Sequence, residues 1–77
     1  MERKPVLWVV VPCYNEEAVL PVTAPLFAHK LGELTAAGKI DGEKSRVLFV
    51  DDGSKDRTWE IIRSLSEQPV FCGVAQS

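Results

Sequence analysis

The feature that most constrains this chain is a pair of apolar runs that do not alternate. Val6–Val11 reads VLWVVV, and Arg46–Asp51 carries VLFV between a basic and an acidic residue. A strand with one wet face alternates apolar and polar residues. A solid β-branched and aromatic run is instead the mark of a strand covered on both faces, as in a parallel sheet. Parallel strands need a crossover, and the residues between the runs are patterned for one. Leu20, Phe27, Leu31 and Leu34 recur at helical spacing, with Lys30 and Glu33 off the stripe. Pro21 and Pro25 are tolerated only near a helix start, so the regular helix is predicted from Val22 or Thr23 to Ala37, with Gly38 as its stop.

GKIDGEKS forms a polar connection into the second run. A second helix is predicted from Arg57 to about Glu67, capped by Ser54 or Asp56, with Trp59, Ile62 and Leu65 or Ser66 facing inward and Ile61 on the flank. Pro69 ends it, and Val70–Ala75 reads as a third strand. The order β-α-β-α-β predicts an α/β fold: a three-layer, Rossmann-like parallel sheet with right-handed crossovers. Trp8 and Trp59 are expected in its core.

Seventy-seven residues support one small domain, taken as 1–77. The third strand exits at Ser77, an abrupt place for a domain to stop, so the chain is expected to be a piece of a longer protein. A net charge of −2 with scattered lysines and arginines provides no basic footprint for nucleic acid and no polybasic membrane cluster. No stretch approaches the roughly 20 apolar residues of a membrane span. Cys13 and Cys72 make no disulfide framework and read as buried free thiols in a reducing compartment.

Both runs end in polar clusters. Pro12, Cys13, Tyr14, Asn15, Glu16 and Glu17 follow the first; Asp51, Asp52, Gly53 and Ser54 follow the second. Ligands of open parallel sheets bind beyond the carboxyl ends of the strands. Side-by-side strands therefore place both clusters on one rim. Tyr14 offers a face for a planar base, Asp51 and Asp52 offer acceptors for ring N–H groups, and Glu16 can accept from ribose hydroxyls. Gly53 allows close backbone approach. Simpler readings stay open: Asn15, Glu16 and Glu17 as helix-start residues, Asp51–Gly53 as a turn, Asp56 as a cap with an exposed ion pair to Arg57. His29 is expected on the surface. No glycine-rich phosphate loop, nucleophile–base pair or metal-ligand cluster is visible.

The combination VVVPCYNEE with VLFVDDGSKDRTWEII resembles family-2 inverting glycosyltransferases of the GT-A fold. Among these it is most similar to dolichol-phosphate mannose synthase and bacterial undecaprenyl-phosphate glycosyltransferases. The paired motif, Pro-x-Tyr-Asn-Glu with Asp-Asp-Gly-Ser-x-Asp-x-Thr, covers the first, nucleotide-binding portion of such an enzyme. The resemblance implies sugar transfer from a UDP- or GDP-sugar to an acceptor, here a polyprenyl phosphate. Pro12, Tyr14 and Glu16 would contact the nucleotide, Val50 would pack at the base, Asp52 would bond the base N–H, and Asp51 would support the loop. Mg²⁺ or Mn²⁺ would sit on ligands beyond residue 77, so this portion alone is expected to bind nucleotide weakly and not turn over. The implied location is cytoplasmic, with the parent protein anchored to the membrane. An exposed sheet edge would allow pairing with a second copy. The alternative is a receiver-like signalling module that binds Mg²⁺ at the acidic pair.

Overall fold

The structure, a computed structural model, describes residues 3–76. Met1, Glu2 and Ser77 lie outside the described residues, so the expected span and the exit at Ser77 are followed only that far. The elements are β1 (Trp8–Cys13), α1 (Leu20–Ala36), β2 (Arg46–Asp52), α2 (Thr58–Leu65) and β3 (Phe71–Gln76). The three strands form one parallel sheet in the order β1-β2-β3, with Val9 opposite Val47 and Val47 opposite Phe71. This is the predicted Rossmann-like α/β class and parallel order, with two layers rather than three among the described residues.

Both helices pack on one face of that sheet. Alternation along the strands turns Val9, Val11 and Cys13 toward the helices, together with Val47, Phe49 and Asp51 of β2 and Phe71 of β3. Phe49 is the centre: its ring lies 6.5 Å from Phe27 of α1, edge to face, and 5.5 Å from Phe71. Leu20, Ala24 and Leu31 of α1, Ile40 of the connection to β2 and Ile62 of α2 complete the buried set. Each large apolar side chain buried here is worth about 1.5–3 kcal/mol of transfer free energy.

Several expectations need correction. The strands are not covered on both faces: on the side away from the helices, Trp8, Val10 and Val74 stay 49%, 59% and 44% exposed. A solid apolar run records that both faces suit burial, but among the described residues only one layer covers the sheet. Trp8 is therefore not core, whereas Trp59 packs against it, half-buried. β1 also runs two residues later than predicted and includes Pro12. β1 is an edge strand, and an edge tolerates a residue that cannot donate.

α1 begins earlier than expected, because Pro21 occupies its second position, where a missing N–H costs nothing. Pro25 lies inside it. The stop is as read: Gly38 and Lys39 donate to the carbonyls of Thr35 and Leu34, the two bonds of a Schellman motif. α2 is shorter than predicted, and its most buried positions are Thr58 and Ile62. It lies close against β3 because residue 73 is glycine; a Cβ there would come within 2.2 Å of Ile62 Cγ2.

Candidate functional site

Register decides whether the two polar clusters meet. Cys13 pairs with Asp51, the last match between β1 and β2. Tyr14 and Asp52 are each one residue further on, so they stand at the same level on the carboxyl edge of adjacent strands. Both are exposed. Pro12 and Val50 are register partners just below them, on the face away from the helices. The rim expected from the sequence is therefore formed, and Pro12, Tyr14, Val50 and Asp52 lie along it.

The acidic pair divides. Asp51 faces the helices, 4% exposed, and its Oδ1 accepts the Ser54 N–H at 3.0 Å. Asp52 faces solvent. A shared ion between them would need both carboxylates on one side, so the receiver-like alternative loses its geometry. Gly53, at φ +75°, makes the turn after Asp52 in the left-handed region that glycine occupies without strain. Gly38 is likewise left-handed, as its motif requires.

The two loops are stitched together by hydrogen bonds that span about forty residues of sequence. The Asn15 N–H donates to Ser54 Oγ at 2.8 Å, and Asn15 Oδ1 accepts the Lys55 N–H at 2.8 Å. The Glu16 N–H donates to Thr58 Oγ1 at 2.7 Å. The Glu17 N–H donates to Asp56 Oδ2 at 3.2 Å. On its other side, Asp56 Oδ1 accepts from both the Thr58 N–H, at 3.0 Å, and the Thr58 hydroxyl. The Glu16 carbonyl then accepts the N–H groups of Val19 and Leu20, which carries the connection into the start of α1.

These bonds settle the simpler readings. Asn15 does not cap α1: the cap position is Val19, with no side-chain bond. Asn15 sits at φ 50°, left-handed, a conformation asparagine tolerates better than most residues. Asp56 binds the first amide of α2, as a cap would, but its second oxygen reaches across to the β1 loop. Arg57 pairs with Glu60 at 3.7 Å, not with Asp56. His29 is on the surface beside Glu33.

Electrostatics match this wiring. The Asp56 carboxyl is held below its ordinary 3.8, chiefly by the Thr58 hydroxyl, with the Thr58 and Glu17 amides adding to it. The Cys13 thiol is pushed up to about 11, first by burial and then by the negative charges of Glu16 and Asp51. It is a neutral thiol at physiological pH, not a nucleophile. Cys13 and Cys72 are both free, on opposite faces of the sheet. Among the described residues, no three His, Cys, Asp or Glu side chains gather to hold a metal.

The sequence read Tyr14, Asp52 and Gly53 in their present places but assigned no shared task to Asn15, Ser54, Asp56 and Thr58. Their signal was the spacing Ser-x-Asp-x-Thr directly after the Gly53 turn, which brings three side-chain acceptors to one side of the loop.

Residues 8–74 match the sequence model of glycosyl transferase family 2. The chain belongs to that family. It is 48% identical over 61 residues to the uncharacterized glycosyltransferase YkoT of Bacillus subtilis, an alignment that covers 79% of this chain and 18% of YkoT. It is 36% identical over 67 residues to the undecaprenyl-phosphate 4-deoxy-4-formamido-L-arabinose transferase of Serratia proteamaculans, covering 87% of this chain and 18% of that enzyme. The uncharacterized glycosyltransferase YkcC of Bacillus subtilis is 45% identical over 58 residues, 75% of this chain and 16% of YkcC. The chain thus spans less than a fifth of the length of these family-2 relatives. No helix among the described residues is long and apolar enough to cross a membrane.

Proposed function

We propose that this segment is the nucleotide-recognition part of a glycosyltransferase that moves a sugar from a nucleotide-sugar donor to a polyprenyl phosphate, with inversion. One observation carries the reading: Tyr14 and Asp52 stand level on the carboxyl edge of neighbouring strands, on loops bonded to each other. In that arrangement Asp52 accepts a ring N–H of the base, and Tyr14 stacks on the base plane. Pro12 and Val50 supply the apolar floor. Glu16 accepts from the ribose hydroxyls. Asp51 holds the turn through Ser54 and does not touch the nucleotide.

The acceptor assignment is supported by the name of the Serratia relative. The resemblance supplies Mg²⁺ or Mn²⁺, whose role is to neutralise the leaving diphosphate. This reading puts its ligands beyond residue 77, supported by the lack of a His, Cys, Asp and Glu cluster among the described residues, and has this segment bind nucleotide without turning over. The same reading puts the site in the cytoplasm, on a protein anchored to the membrane. Among the described residues β1 and β3 are the two edges of the sheet, and sedimentation of this chain tests pairing of copies through them.

The deciding experiment is a titration of the chain with UDP and with GDP, followed by NMR at Tyr14 and Asp52. Both signals are expected to shift with one of the nucleotides, and Asp52→Ala is expected to abolish the response. An Asp52→Ala chain that responds like the original refutes the site.

A further inference from the structure

Four hydrogen bonds join the two loops, and two of them end on Asp56 and Thr58, which have no expected contact to the nucleotide. We propose that Asp56 and Thr58 are positioning residues for donor binding: they hold the amides of Glu17 and Glu16 and thereby lock the Tyr14 loop against the Asp52 loop. This deepens the nucleotide-site reading and rests on it.

The geometry is directional. Thr58 is fully buried at the start of α2, so α2 and its packing against the sheet fix its hydroxyl. That one hydroxyl uses both of its capacities. It donates to Asp56 Oδ1 and accepts from the Glu16 N–H. Asp56 uses both oxygens, Oδ1 toward Thr58 and Oδ2 toward Glu17. At 56 only a carboxylate of this length offers two acceptor oxygens, and at 58 the pattern needs a hydroxyl, which serine shares with threonine. An asparagine at 56 has one acceptor and serves either Thr58 or Glu17. A valine at 58 keeps the shape and leaves the Glu16 N–H without its partner. Two loops from different strands grip one base more tightly when their separation is set before the base arrives, because any freedom left in the Tyr14 loop has to be removed on binding.

The test compares Thr58→Val, Thr58→Ser and Asp56→Asn with the original chain. It has two readouts: nucleotide affinity by NMR titration with UDP and GDP, and hydrogen exchange at the amides of Glu16, Glu17 and core residue Phe49. Thr58→Val is expected to weaken affinity about three- to tenfold, the scale of one lost hydrogen bond. It should speed exchange at Glu16 while Phe49 stays protected. Thr58→Ser keeps the hydroxyl and should restore affinity to within about twofold of the original. Asp56→Asn should speed exchange at Glu17 and weaken affinity while α2 remains folded. If Thr58→Val does not fold, Asp56→Asn alone decides.

The proposal is overturned if Thr58→Ser binds as weakly as Thr58→Val, or if Glu16 and Glu17 exchange at unchanged rates in the variants. It is also overturned if exchange speeds up while affinity holds. If the original chain binds neither nucleotide, the nucleotide-site reading falls. The exchange readout then still decides whether Asp56 and Thr58 lock the loops.

Discussion

Gly73→Ala tests the packing that presents Thr58 to the site. The new methyl would lie 2.2 Å from Ile62 Cγ2 and 3.3 Å from Ser66 Oγ. Carbon atoms rest at about 3.5–4.0 Å, so Cγ2 has to retreat by at least about 1.3 Å. Ile62 has nowhere to go: it is fully buried, and a β-branched residue on a helix has one strongly preferred rotamer. The strain is expected to cost about 1–3 kcal/mol, taken up by an off-rotamer Ile62 or by a shift of α2 away from β3. A domain of this size has a total stability of about 4–12 kcal/mol, so the loss is readily measured.

The cause is isolated by a double-mutant cycle. Ile62→Ala removes the clashing atom and alone costs about 2–5 kcal/mol as a cavity. In that background the methyl at 73 enters vacated space, so its penalty should vanish, giving a coupling of about 1–3 kcal/mol. Urea unfolding followed by tryptophan fluorescence measures all four chains, with an osmolyte present throughout to keep the weakest folded. Penalties that add to within about 0.5 kcal/mol would refute the contact as the reason for glycine.

Four further outcomes are expected. Gly53→Ala should lose about 1–2 kcal/mol in the same unfolding assay, because residue 53 is left-handed while the space around it is open, with its nearest neighbour, Gln76 O, at 3.7 Å. Asn15→Ala removes both the bond to Lys55 and a side chain that tolerates a left-handed backbone; Asn15→Gly removes only the bond, and should be the more stable of the two in thermal melts. The folded pKa of Asp56 is depressed, so its stabilising contribution is present above pH 3.8 and is lost as pH falls through the lower folded value; an NMR titration of its carboxyl carbon should place the midpoint below 3.8. Cys13 has the opposite sign: its raised pKa contributes stability fully present below pH 9.0 and lost as pH rises through about 11, and iodoacetamide at pH 8 should label half-buried Cys72 well before Cys13.

Much of this protein was legible along the chain because the controlling interactions are local or periodic. The solid runs at Val6–Val11 and Arg46–Asp51 announced parallel strands. The spacing of Leu20, Phe27, Leu31 and Leu34 announced a helix, and Gly38 its end. The polar clusters after each strand then followed from chain direction alone, since parallel strands deliver their carboxyl ends to one rim. Tertiary structure decided what depended on a partner. Whether a strand face is covered is a property of the neighbouring layer, which is why Trp8 looked like core and is half exposed. Pro12 belongs to a strand because that strand is an edge. Asp51 and Asp52 look equivalent in sequence, yet pleating sends one into the core and the other to solvent. Asp56 and Thr58 looked like a helix start. Their bonds to Glu17 and Glu16 come from residues about forty positions away, and register alone brings such groups within hydrogen-bonding reach.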